Sequence, residues 1–192
     1  MSPPQPSDVA TPAPPKKERY TYADDAELPE SAPYELIAGE LVMTPSPTFQ
    51  HQQVSLRLSA AMFRHVDEHG SGEVVTAPMD VSLSEDTTVQ PDLIFVANER
   101  RAIIGEQRVQ GAPDLIVEIL SPSTAHRDVG IKKRLYERHG VREYWTLDPE
   151  SQAVEVHVNT DAGFTQHARV VEAGAIASTV VNGFEVDVGD LF

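Results

Sequence analysis

Glu118 stands inside the most apolar run of the chain, Leu115-Ile116-Val117-Glu118-Ile119-Leu120. An ionised carboxylate in a buried strand is costly unless it is paired or binds a cation. Two readings follow, a strand-edge ion pair or a metal ligand. A second carboxylate, Asp92, follows Pro91 at the start of another apolar run. Two acids on neighbouring strands can share one hydrated divalent ion, so Asp92 and Glu118 form the candidate pair, with carboxylates expected within about 6 Å of each other. Asp114 also follows a proline, but it precedes Glu118 by four residues. At about 3.3 Å per residue their Cα atoms lie about 13 Å apart, too far to share an ion, and Asp114 reads as a strand-start or turn residue.

Three further side chains could join this pair. On a helix through residues 128–139, Lys132 falls on the inward arc with Leu135, Tyr136 and His139. A buried lysine needs a carboxylate, either as a structural pair or beside an attacked phosphate. His51 lies in the first turn of a helix, on the face of Val54 and Leu58. It reads as an inward histidine, a core residue or a contact to the site. Glu35, between Tyr34 and Leu36, is either a solvent-facing strand residue or a further acid of the site.

The elements that must position these residues can be read from pattern. Tyr34–Ile37 and Glu40–Met43 form a hairpin around Ala38-Gly39. Thr48 caps a helix to about His69, ended by Gly70. Strands are expected at 73–76, 79–83, 91–97 and 114–120, the last a central strand covered on both faces. The polar segment 98–110 has no clear type. The helix at 128–139 ends at Gly140. A strand at 143–147 and short alternating strands from 153 to 192 close the chain. The order predicts an α/β fold with a mixed sheet and few helices.

Composition sets the limits. The 192 residues suit one domain, residues 19–192, after a Pro-rich tail at 1–18 that is expected to be disordered. No apolar run spans a bilayer, no signal core opens the chain, and there is no cysteine; a cytoplasmic protein is expected. The formal charge of −15 opposes binding to phosphate backbones. From Arg127 to Arg142, however, six basic residues stand against two acidic ones, either a phosphate-binding patch or a solvated helix face.

At these residues the sequence resembles the Uma2 family of restriction-endonuclease-like proteins, within the PD-(D/E)XK nuclease superfamily. The resemblance rests on Tyr34 to Val42, His51, Gln90-Pro91-Asp92-Leu93, Pro113 to Thr124, Asp128 to Tyr136 and Gly140 to Pro149. It implies an αβββαβ core and a divalent metal, Mg²⁺ or Mn²⁺, held by Asp92, Glu118 and the Ile119 carbonyl. It also implies hydrolysis of DNA phosphodiesters, with Lys132, Glu35 and His51 assisting. The superfamily's usual Glu-x-Lys would put a lysine at 120, where this chain has Leu120; in Uma2-like sequences the following helix supplies it, here as Lys132. DNA is therefore the expected partner, and a homodimer would pair two basic patches. The competing expectations are a non-catalytic binding or assembly module that keeps the fold, and a hydrolase for a small phosphorylated substrate.

Overall fold

A computed structural model describes residues 17–28 and 32–192. The expected disordered tail thus lies outside the described residues except for Lys17 and Glu18; the Lys17 ammonium pairs with Asp24 at the start of a short helix, α1 (Tyr22–Asp25).

The hairpin forms as expected, β1 (Tyr34–Ile37) against β2 (Glu40–Met43). Ala38 and Gly39 between them both have positive φ, 51° and 84°, the backbone hand that suits a two-residue hairpin turn. Helix α2 (Phe49–His69) starts where Thr48 accepts a hydrogen bond from the His51 N–H (3.2 Å) and ends at Gly70 in the left-handed region. Strands β3 (Gly72–Thr76), β4 (Asp80–Ser84), β5 (Thr87–Val89) and β6 (Leu93–Ala97) follow. The untyped segment resolves into a 3₁₀ helix, Asn98–Ile103, and a short strand β7 (Arg108–Gln110).

Strand β8 (Leu115–Ile119) is wholly buried. It lies inside a six-stranded sheet of order β11-β10-β9-β8-β6-β3, built with β9 (Glu143–Asp148), β10 (Ala153–Thr160) and β11 (Gly163–Val171). Only β8 and β9 run parallel in it. The hairpin joins a second, five-stranded sheet, β2-β1-β5-β4-β7. Strands β12 (Ala175–Ala177) and β13 (Glu185–Asp187) pair with each other.

Side chains alternate across β8, and the two faces enter two cores. Leu115, Val117 and Ile119 pack under Val54, Leu58, Met62 and Val66 of α2, with Phe184 and Leu191 of the C-terminal segment. Ile116 enters the other core, with Val81, Val89, Leu135 and Tyr136. Glu118 is on this second face, between the two sheets.

The helix expected at 128–139 begins earlier, at Ala125, and is broken into three pieces. α3 (Ala125–Arg127) runs into a π turn, Asp128–Lys132, and then into α4 (Lys133–His139), which stops at left-handed Gly140. In a uniform α-helix every fourth residue drifts by about 40°; the wider i→i+5 turn drifts the other way. One π turn followed by one α turn therefore keeps Asp128, Lys132 and Tyr136 on one line, and all three are buried. No described helix is long and apolar enough to cross a membrane.

Candidate active site

The acidic pair comes from the register of two central strands. Leu93 of β6 pairs with Val117 of β8 in an antiparallel ladder. One step further sets Asp92 opposite Glu118, and such neighbours have Cβ atoms roughly 4.5–5.5 Å apart. The backbone holds Asp92 in place, since the Ile119 N–H donates to its Oδ2 at 2.7 Å. Its Oδ1 lies 3.3 Å from His51 Nε2. The Thr48 cap therefore acts on the site, because it fixes the first turn of α2 and with it the imidazole.

Lys132 reaches the same place from the π turn. Its Nζ lies 2.7 Å from Glu118 Oε1, 3.0 Å from Glu35 Oε1 and 3.6 Å from Asp128 Oδ1. Glu35 also accepts the Gln90 N–H at 2.9 Å, so β1 is tied to the segment that carries Asp92. It is buried here, not facing solvent. The Tyr136 hydroxyl donates to Glu118 Oε1, and the Tyr144 hydroxyl to the Asp128 carbonyl at 3.1 Å.

All five expected side chains, Asp92, Glu118, Lys132, Glu35 and His51, line one cavity of about 320 Å³, together with Ile119 and Asp128. The 44–47 segment after β2 and Ser121 and Thr124 after β8 also line it. Three participants escaped the sequence reading. Asp128 counted only as one of the two acids of the 127–142 stretch, Tyr136 only as an inward residue beside Lys132, and Gln90 acts through its backbone. The π turn that brings Asp128 and Tyr136 into line with Lys132 has no signature at a period of 3.6.

The electrostatics are unbalanced. Four carboxylates (Glu35, Asp92, Glu118, Asp128) face one lysine and one histidine. With all four carboxylates ionised the formal sum is −4 + 1 = −3 with His51 neutral and −2 with it protonated, and each proton held by a carboxyl lessens it by one. Burial pushes the Glu118 pKa well above 4.5, and Asp128, Asp92 and Glu35 push the same way against Lys132. Asp128 is raised as well, first by burial. For Lys132, burial works against the charge, but Glu118, Glu35 and Asp128 outweigh it and hold the ammonium well above 10.5. Burial likewise opposes charge on His51, while Asp92 and the Ile119 carbonyl raise its pKa above 6.5.

Among the described residues no group of three or more His, Asp or Glu side chains is arranged to hold a metal ion. The expected donor set needs no such group. It is two carboxylates and one backbone carbonyl, all hard oxygens, and Mg²⁺ keeps several of its waters. The surplus of negative charge in a low-dielectric cavity also fits a divalent cation.

The expected basic patch from Arg127 to Arg142 does not survive as one surface. Lys132 is buried in the site, Arg142 binds Asp114 at the far end of β8 (3.0 Å), and Arg127 donates to the Met43 carbonyl. Lys133, Arg134 and Arg138 remain on α4, Arg134 and Arg138 exposed and Lys133 half-buried.

Residues 20–189 match the model of the Uma2 family, described as "Putative restriction endonuclease". The fold is also that of a crystal structure from Anabaena variabilis described as "a putative nuclease belonging to DUF820", with TM-score 0.73 and 20% identity. The match covers 90% of this chain and 97% of that one. No curated protein matches the chain.

Proposed function

The chain belongs to the Uma2 family, and from that premise we propose that it is a metal-dependent endonuclease that hydrolyses DNA phosphodiester bonds. The observation that carries this reading is the meeting of Asp92, Glu118 and Lys132 in one open cavity with an uncompensated negative charge. Structural ion pairs would be expected to balance and to close; these do neither.

Asp92, Glu118 and the Ile119 carbonyl are the residues that would hold Mg²⁺ or Mn²⁺. When bound, the ion acidifies a water and neutralises charge on the phosphate. The Ile119 N–H keeps Asp92 Oδ2 fixed, and His51 holds Oδ1. Tyr136 and Lys132 both engage Glu118 Oε1, which leaves Oε2 for a ligand. Lys132 would orient the attacking water or bind a non-bridging phosphoryl oxygen, and it stays charged because of its carboxylate neighbours. Glu35 positions that ammonium through its 3.0 Å contact.

The nucleic-acid reading is supported by the family and by Lys133, Arg134 and Arg138 on α4. Incubation of supercoiled plasmid, single-stranded DNA, RNA and nucleotides with Mg²⁺ or Mn²⁺ tests the proposal. Nicked or linear DNA is expected with metal, none with chelator, and none from Asp92→Asn. Intact DNA under every metal condition, from protein that still binds DNA, would leave the binding-module reading in its place.

A further inference from the structure

Helix α2 buries Val54, Leu58, Met62 and Val66. Its opposite face carries Phe49, Leu56 and Phe63, which are 79%, 69% and 57% exposed. Seven residues separate each from the next, so they drift by only about 20° per step and form one stripe. The stripe is about 21 Å long at 1.5 Å per residue. With each aromatic side chain offering roughly 200 Å², the three expose on the order of 400 Å² of apolar surface. That is the size of the largest apolar patch on a typical monomer, which is often functional.

The C-terminal end of this face is concave. A cavity of about 300 Å³ opens beside Phe63, lined by Val66, Gly72 and Val74 and by the polar Asp67, Glu73, Asn98 and Arg101. The N-terminal end is convex, because Phe49 is the most exposed large apolar side chain among the described residues. A knob and a hole thus sit at opposite ends of one stripe with Leu56 midway between them.

We propose that this face of α2 is an isologous interface with a second copy of the chain. The two helices pack antiparallel around a two-fold axis at Leu56. The axis sets Leu56 against its own copy and Phe49 against the partner's Phe63, so each Phe49 enters the other subunit's cavity. The charges agree with this occupant. The chain as a whole carries −15, but the exposed charges of α2 are Arg57 and Arg64 against Asp67 and Glu68, a local sum of zero. In the antiparallel register Arg57 lies opposite Ser55 of the partner subunit and Arg64 opposite Thr48 of the partner subunit, so no two like charges meet. The stripe supplies about half of the roughly 800 Å² that a standard interface buries per subunit, and Gln53, Ala60 and the cavity walls extend it.

The absence of native cysteine makes the register directly testable. Helices 8–10 Å apart bring facing Cα atoms at the axis within disulfide reach. Sedimentation velocity at tens of micromolar is expected to show a particle of twice 21.0 kDa. Leu56→Asp is expected to weaken association at least about 100-fold while the far-UV circular dichroism stays at the wild-type value and the melting temperature matches that of wild type diluted until it is monomeric. On oxidation Leu56→Cys should give a covalent dimer. Phe49→Cys alone should not, but Phe49→Cys mixed with Phe63→Cys should. A monomeric wild type, a Leu56→Asp dimer as tight as wild type, or self-cross-linking of Phe49→Cys would each overturn the proposal.

Discussion

Asp114 and Glu118 are buried carboxylates four residues apart at the two ends of one structural run, and their surroundings could hardly differ more. Asp114 accepts the Ala97 N–H at 2.9 Å and contacts Arg100 at 3.2 Å and Arg142 at 3.0 Å. Two guanidiniums and an amide answer one carboxylate. Glu143, equally buried, is answered by the Trp145 indole, the Ser178 and Thr179 hydroxyls and the Thr179 amide. At Glu118 four acids share one lysine and one histidine around an open space. Burial of an acid therefore marks nothing by itself. What separates scaffold from site is whether the protein supplies enough partners or leaves charge for something else to neutralise.

The largest effect should come from removing the site's cation. Lys132→Ala is expected to slow metal-dependent cleavage by roughly 10²- to 10³-fold. It also leaves three carboxylates without their ammonium, which should cost about 3 kcal/mol of stability in metal-free protein. Mg²⁺ should restore part of that loss, since the oxygen donors at Asp92 and Glu118 remain. Cleavage at the wild-type rate, at saturating DNA and Mg²⁺, would remove Lys132 from the mechanism.

At the other end of β8 the pattern should invert. Asp114→Asn is expected to destabilise the fold by about 2 kcal/mol, because Arg100 and Arg142 lose their anionic partner, the loss being limited since both are partly solvated. Below the melting transition its cleavage rate should equal wild type. Slower chemistry from a folded Asp114→Asn protein would mean that the two ends are not separate.

A smaller effect concerns substrate affinity. Lys133→Ala combined with Arg134→Ala should lower the slope of log affinity against log salt by about 2, roughly 0.9 for each phosphate that is no longer neutralised. The rate at saturating DNA should not change. An unaltered slope would show that α4 does not face the nucleic acid.

The smallest lies at Asp25, where burial and then Asp80 raise the carboxyl pKa to about 6. The folded protein thus holds this proton more tightly than the unfolded chain does. The resulting stabilisation is present below pH 4 and is lost as pH rises through about 6. Asp25 is partly exposed, so solvent screening reduces the effect, and Asp25→Asn should gain no more than about 1 kcal/mol at pH 7. Thermal melts of the two proteins from pH 4 to 8 measure it; a constant difference across that range would disprove the assignment.

The comparison also explains what the sequence made legible. Asp92 and Glu118 stood out because an acid inside Leu115–Ile119 is conspicuous, and Lys132 because helical phase separates it from Lys133. The same reasoning set Asp114 aside from the pair on distance, and the structure gives it a separate ionic network. The partners came from far along the chain and left no local signal. Glu35 meets Lys132 across 97 residues, and β5, three residues long, was too short to read as a strand. The patch at 127–142 looked continuous because sequence proximity hides direction: Arg142 follows the turn at Gly140 and points to the other end of β8.

Mn²⁺ binding, followed by electron paramagnetic resonance and calorimetry on the wild type, Asp92→Asn, Glu118→Gln and Asp114→Asn, tests most directly whether charge surplus marks the site. The account predicts a bound ion in the wild type and in folded Asp114→Asn, and its loss in Asp92→Asn and Glu118→Gln. Equal binding by all four proteins, or binding lost only in Asp114→Asn, would contradict it.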